Sequence, residues 1–237
     1  MGSTRLSGKV LKQIKGNTIL GHVVERLQQS KYADSIIIAT TNSPSDVRIE
    51  EEAKRLNTAV FRGSEDNVLS RYYYAAKQNE LDIVIRVTSD CPLIDPLVLD
   101  EMIKLYLDKK YEVVTNVGME LEDRTFPRGL DAEIFSFSML EEAFKSATEQ
   151  YQKEHVTPYI YEHFKNTYYY KNNTDYSNHR WTVDTQEDFE LISAIYNYLY
   201  EGTHDFYLND IVKLFEVHPE LYAINAEIEQ KQIKDVD

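Results

Sequence analysis

Apolar residues recur along this chain with two alternating periods. Ile19, Leu20, Val23, Val24 and Leu27 follow Thr18 at helical spacing, and Ile36, Ile37, Ile38 and Ala39 then form a short β-branched run. That order predicts a capped helix followed by a buried strand. Ser43, Pro44 and Asp46 mark the next helix start, which leads to Ile49, Ala53 and Leu56. Thr58 to Phe61 reads as a strand, Ser64 as the cap of a helix through Ala76, and Asp82 to Val87 as a third apolar run. Leu97 to Leu107 is amphipathic, and residues 111–117 read as a further strand.

The second half opens differently. Glu120 to Phe137 is polar and lacks helical period, as an inserted hairpin or loop would. Helices are predicted at about 138–147, 151–164, 186–200 and 208–215, with strands near 167–172 and 179–183. Strand, helix, strand crossovers are right-handed and force parallel pairing, so the expected fold is α/β: a doubly wound, mostly parallel, Rossmann-like sheet with a small insertion at about 118–137. The whole of 1–237 reads as one domain, since 42% hydrophobic residues fill one core. In such a sheet ligand chemistry belongs at the carboxyl ends of the strands. Three polar clusters fall there: Thr40 to Asn42, Arg62 to Asp66, and Thr88, Ser89 and Asp90.

Charge narrows the partners. The formal net charge is -14, yet Arg5, Lys9, Lys12, Lys15, Arg26 and Lys31 stand against Glu25 alone in the first 31 residues. An acidic body with one cationic patch disfavours nucleic acid and anionic membrane and suits one small anion. The single Cys91 excludes an intramolecular disulfide, and no apolar run marks a signal or a membrane span, which predicts a cytoplasmic protein. The 18 tyrosines, several in runs, read as packing residues.

The candidate chemistry begins at the amino terminus. Gly2, Ser3, Thr4, Arg5, Ser7, Gly8 and Lys9 offer backbone N–H groups, hydroxyls and two cations to one anion, as a triphosphate requires. This is not a Walker A loop, because Ser3 stands where its first glycine would fall and no Ser or Thr follows Lys9. Asp90 and Asp184 each follow a β-type run and precede a helix start, so both emerge at one sheet edge, where they could share a hard cation such as Mg2+. Asp184 is equally placed to cap the helix after it. Arg5 and Lys9 also fit ordinary surface charges, and His155, ahead of Pro158, fits either a structural histidine or a substrate contact. Cys91 reads as a small buried filler.

Six blocks, in order, carry a family resemblance: Met1 to Lys9, Phe61 to Leu69, Arg86 to Pro96, Pro127 to Asp131, Glu154 to Tyr159 and Arg180 to Thr185. Together they resemble the cytidylyltransferases, most of all the spore coat polysaccharide biosynthesis branch related to acylneuraminate and 3-deoxy-manno-octulosonate cytidylyltransferases. The resemblance implies that an acidic sugar attacks the α-phosphate of CTP to give a CMP-sugar and pyrophosphate. It places Gly2, Ser3 and Thr4 on the triphosphate, Arg5 and Lys9 on the charge that develops there, and Asp90 and Asp184 on Mg2+. Arg62, Ser64, Asp66 and Ser89 fall to the nucleotide, Arg128, Asp131 and His155 to the sugar, and a homodimer forms through 118–137. The family pattern also carries a strand ahead of the Met1 block and Pro where Ser7 stands, so this chain is expected to lack a first strand. Two alternatives stay open: a nucleotide-sugar glycosyltransferase, although no Asp-x-Asp motif stands at Asp90, and a noncatalytic nucleotide-binding remnant.

Overall fold

A computed structural model describes residues 5–117 and 124–229. A short hairpin, β1 (Gln13–Ile14) and β2 (Asn17–Thr18), leads into α1 (Ile19–Leu27). Thr18 caps α1 by accepting from the Gly21 N–H at 2.8 Å. The first half then alternates β3 (Ile37–Thr41), α2 (Val47–Arg55), β4 (Ala59–Gly63), α3 (Val68–Gln78), β5 (Ile83–Arg86), α4 (Pro96–Asp108) and β6 (Val113–Thr115). After it come β7 (Glu133–Ser136), α5 (Phe137–Ser146), α6 (Gln150–His155), α7 (Pro158–His163), β8 (Thr167–Tyr169), α8 (Gln186–Leu199) and α9 (Leu208–Val217).

The α/β architecture is the expected one, and its strand pairing adds detail. β3 and β4 pair in parallel, while a four-stranded sheet runs β5, β7, β6, β8, with β7 antiparallel to both β5 and β6. Polar composition hides β7 within the 120–137 segment, but Ile134 and Phe135 supply its two buried faces. Residues 118–123 of the predicted insertion lie outside the described residues. The predicted helix 151–164 divides into α6 and α7 at Val156, which takes φ 74°, because Pro158 bars a continuous helix through the residues before it. Asn67, not Ser64, caps α3 by accepting from Ser70 N–H at 2.8 Å. The extended run 179–183 makes one bridge, Arg180 to Arg128, and is held by loop hydrogen bonds instead of a full ladder.

Alternation along the strands sends side chains into two helical layers. Val84, Val113 and Phe135 pack on α3, α5 and α7 through Leu69, Tyr73, Leu140 and Ile160. On the opposite face Ile134 and Val114 meet α4 through Leu99, Met102 and Ile103, while Ile38 meets α1 and α2. Fully buried Trp181 and Val183 join α8 and α9 in a further cluster. Between β3 and β5 the two sheets stand apart around a cavity of about 730 Å3 lined by both strands and by α1, α3 and α4. Among the described residues no helix is long and apolar enough to cross a membrane.

Arg86 at the end of β5 lies in register with buried Glu133 on β7 and is ion-paired to it, and the Tyr161 hydroxyl donates to Glu133 Oε1 at 2.6 Å. Burial works against the Arg86 charge, but Glu133 outweighs it and raises the pKa. Removing the acid alone strands a buried cation. Glu133→Ala is therefore expected to lose about 3–5 kcal/mol in urea unfolding, while the double variant Arg86→Met/Glu133→Leu recovers most of that loss; equal losses in both would refute the pairing argument.

Candidate functional site

Three distant segments meet at one ammonium. Lys9 follows Gly8, whose φ of 65° turns the chain into a short helical turn over Lys9–Leu11. Its Nζ donates to Asp90 Oδ2 at 2.6 Å and to Asp184 Oδ1 at 2.7 Å. Asp90 ends the turn after β5. Asp184 ends the extended run before α8, and the two loops are tied directly by Val183 N–H donating to the Asp90 carbonyl at 2.8 Å.

Asp184 gathers more positive charge. Its Oδ2 lies 3.0 Å from Arg5 Nη2 and 2.7 Å from Arg180 Nη2. Arg180 is itself held by fully buried Asp188 through Nε at 3.0 Å and Nη2 at 3.1 Å. Asp188 also accepts from the Asp184 and Thr185 N–H groups, and Asn225 donates to it at 2.9 Å. The α8 cap is Thr185, paired with Asp188 in a capping box, so Asp184 is spared from capping. Burial favours the neutral Asp184 carboxyl, yet Lys9, Arg5 and Arg180 together hold its pKa below the usual value. Burial likewise opposes the Lys9 charge, and Asp90 and Asp184 override it to raise the Lys9 pKa.

The other predicted residues lie at varying distance from this centre. Ser89 is exposed at the carboxyl end of β5 and borders the large cavity. Arg62 ends β4 with its guanidinium spent on the turn after β3: Nε donates to the Thr41 carbonyl at 3.0 Å, Nη2 to the Ser43 carbonyl at 2.8 Å, and Nη1 pairs with Glu50. The Ser64 and Asp66 carbonyls accept from Arg71 and Gln150. Asp131 pairs with buried Arg124 at 2.5 Å. Arg128 bridges to Arg180 through its backbone, and Gly129 (φ 102°) lets that strand pass against Trp181, where a Cβ would sit 2.6 Å from the Trp181 carbonyl carbon. Burial first, then the like charges of Arg124 and Arg180, lower the Arg128 pKa. Arg128 lines a second cavity of about 300 Å3 with His179, Trp181 and Tyr222. His155 stands farther off, at the end of α6 in the layer that contains α3. Gly2, Ser3 and Thr4 lie outside the described residues. Sequence reading did not single out Arg180 or Asp188; their i, i+4 spacing to Asp184 in either direction was the available signal.

Cys91 is buried, its thiol pKa raised by burial first and then by Asp90, which keeps it protonated as a filler. A separate cluster, His22, Glu25 and His204, brings ligand-type atoms within 4.8 Å of one another. Hydrogen bonding fixes the tautomers there. His22 Nε2–H donates to the Ile14 carbonyl at 2.9 Å, so its Nδ1 accepts from His204 Nε2–H, also at 2.9 Å. Burial, with Arg26 adding like charge, lowers the pKa of His22 to about 4 and of His204 to about 3. These two rings lock the α1 end of the fold to the 201–206 loop and disfavour a cation.

Residues 1–229 match the cytidylyltransferase family. A cytidylyltransferase structure from Leptospira borgpetersenii is 37% identical, covers 98% of this chain and 95% of its own, and superposes with a TM-score of 0.88. The spore coat polysaccharide biosynthesis protein SpsF of Bacillus subtilis is 32% identical over 83% of this chain and 82% of its own. A 3-deoxy-manno-octulosonate cytidylyltransferase of Solibacter usitatus is 36% identical over 51% of this chain and 47% of its own.

Two titration outcomes follow. His22 and His204 are neutral when folded, whereas the unfolded chain takes up their protons below about pH 6.5, so stability falls as pH drops from there toward 4. Urea unfolding is expected to lose on the order of 2 kcal/mol per histidine at pH 4.5, and a flat profile would contradict the neutrality of the two rings in the fold. Asp184 works oppositely: its lowered pKa contributes stability above the unfolded value that is lost on acidification through the folded one. In Lys9→Met its carboxyl should titrate at higher pH by NMR.

Proposed function

The chain belongs to the cytidylyltransferase family, and on that premise we propose that this enzyme joins CTP to an acidic sugar, releasing pyrophosphate, for surface polysaccharide synthesis of the spore coat kind. The observation that carries the reading is one ammonium held by two carboxylates 2.6 and 2.7 Å away, at a sheet edge where three cations converge. A sugar hydroxyl attacks the α-phosphorus of CTP. The new P–O bond forms as the bond to the bridging oxygen breaks, the hydroxyl loses its proton, and pyrophosphate departs with the electron pair.

Lys9 and Arg5 meet the charge that builds on the α-phosphate and on the leaving group. Arg180, fixed by Asp188, holds the Asp184 carboxylate in place and is a positioning residue. Positioning and electrostatics suffice here, and no covalent intermediate is needed. Asp90 and Asp184 already converge on one cation, the donor set that Mg2+ uses together with substrate phosphates, so these two would hold it. When bound, Mg2+ offsets phosphate charge and polarises the α-phosphate.

By the resemblance, Gly2, Ser3, Thr4, Ser64, Asp66 and Ser89 serve the nucleotide, with Arg62 ordering the neighbouring turn. Arg128, Asp131 and His155 serve the sugar. The Solibacter usitatus relative, named for 3-deoxy-manno-octulosonate, supports an acidic acceptor, and SpsF supports the polysaccharide role. Assembly as a homodimer through 118–137 belongs to the same reading.

Pyrophosphate release is to be followed with CTP, Mg2+ and a panel of octulosonic, nonulosonic and neutral sugars. Release is expected with at least one acidic sugar and with no neutral one, and Lys9→Met should slow it by about 100-fold or more. Turnover of neutral sugars alone would overturn the acceptor assignment, and unchanged turnover in Lys9→Met would overturn the site.

A further inference from the structure

Behind the two acids, Arg180 is gripped from the carboxyl-terminal end of the described chain. The helical turn Pro219–Ile224 packs on α8 and α9 and delivers Asn225, a buried side chain, to the rear of the site. Asn225 Nδ2 donates to the Arg180 carbonyl at 3.0 Å and to Asp188 Oδ1 at 2.9 Å. An amide nitrogen carries two hydrogens, and here each has its own acceptor, so the neighbours fix which way the Asn225 amide faces. Asp188 Oδ1 also accepts from Arg180 Nε, while Oδ2 accepts from Arg180 Nη2 and from the Asp184 and Thr185 N–H groups. One amide thus holds the backbone of Arg180 with one hydrogen and the counter-ion of its side chain with the other.

We infer that Asn225 is a positioning residue for the transfer reaction, acting through Asp188 and Arg180 to set the direction from which the guanidinium meets Asp184. The inference rests on the role given to Asp184 under the proposed function. Arg180 Nη2 divides its hydrogens between Asp184 Oδ2 at 2.7 Å and Asp188 Oδ2 at 3.1 Å, so a turn of the Asp188 carboxylate draws the guanidinium off Asp184. Without Asn225, Asp188 Oδ1 keeps Arg180 Nε as its donor and loses the bond that ties it to the carboxyl-terminal turn. Hydrogen bonds to buried ions are the strong ones, and partners one layer behind a site orient the groups in front of them. The position calls for two donors and no charge. A carboxylate there sets a negative oxygen against Asp188, and a hydroxyl supplies a single hydrogen. The same turn has a second tie that does not touch Arg180, since the Tyr222 hydroxyl meets His179 Nε2 at 2.8 Å.

The test uses Asn225→Leu, close in shape and without donors, read by pyrophosphate release and by NMR hydrogen exchange of the Arg180 Nε–H. We expect kcat to fall about 10- to 100-fold with the KM for CTP within about threefold. Exchange at Arg180 Nε–H should quicken at least about tenfold. Tyr222→Phe, which cuts the other tie of the same turn, should leave both readouts within about twofold. In an Arg180→Met background the path is already severed, so Asn225→Leu should change kcat by less than about twofold; an undiminished loss there overturns the inference. Unchanged Arg180 Nε–H exchange in Asn225→Leu overturns it as well, whatever the chain turns over. No turnover by the unsubstituted chain, with the exchange effect present, overturns the transfer reading instead and confines Asn225 to holding Arg180. Should Asn225→Leu fail to fold, Asn225→Ser keeps one donor and should show a smaller loss in both readouts, and wild-type values in both overturn the inference.

Discussion

Two carboxylates at one sheet edge repel each other unless a cation stands between them, and in this protein the Lys9 ammonium stands there. Residues 9, 90 and 184 are separated by most of the chain, yet their polar atoms lie within 2.7 Å of the shared nitrogen. Because ion pairs at a partly covered edge are held in low effective dielectric, the arrangement depends on further neutralisation. Arg5 and Arg180 supply it at Asp184. The backbone bond from Val183 to Asp90 then fixes the spacing of the two acid-bearing loops independently of the side chains.

That centre was legible in part from sequence. Both aspartates follow β-type runs, and the topology of a crossover sheet suffices to bring such positions to one edge. What sequence left open was whether Asp184 caps its helix. The structure answers through Thr185 and Asp188, a capping box that leaves the Asp184 carboxylate to the cations. Arg180 and Asp188 carried a readable spacing, but their importance lies in burial, which a single sequence does not display. The polar stretch before Phe137 conceals β7 because its four residues open on Glu133 and close on Ser136, and only Ile134 and Phe135 advertise a core. Val156 shows the converse: a helical period continued across a proline-bounded break.

Electrostatics and architecture agree in this chain. The body is acidic, with a formal charge of -14, while Arg5, Lys9 and Arg180 gather around two acids at the strand ends. Such an arrangement concentrates attraction for a polyanion in one place and repels it elsewhere. The histidine pair at α1 and the Glu133 to Arg86 pair at β5 brace the helices and strands that carry these loops, so the electrostatic focus rests on buried polar contacts on either side.

β6 and β7 are adjacent and antiparallel, joined by the segment that includes residues 118–123. Both ends of that connection are anchored in neighbouring rungs of one ladder, so its length is uncoupled from strand register. Closure entropy grows only logarithmically with added residues. The connection can thus be lengthened or shortened without disturbing the ladder, and the Asp90 and Asp184 loops keep their spacing.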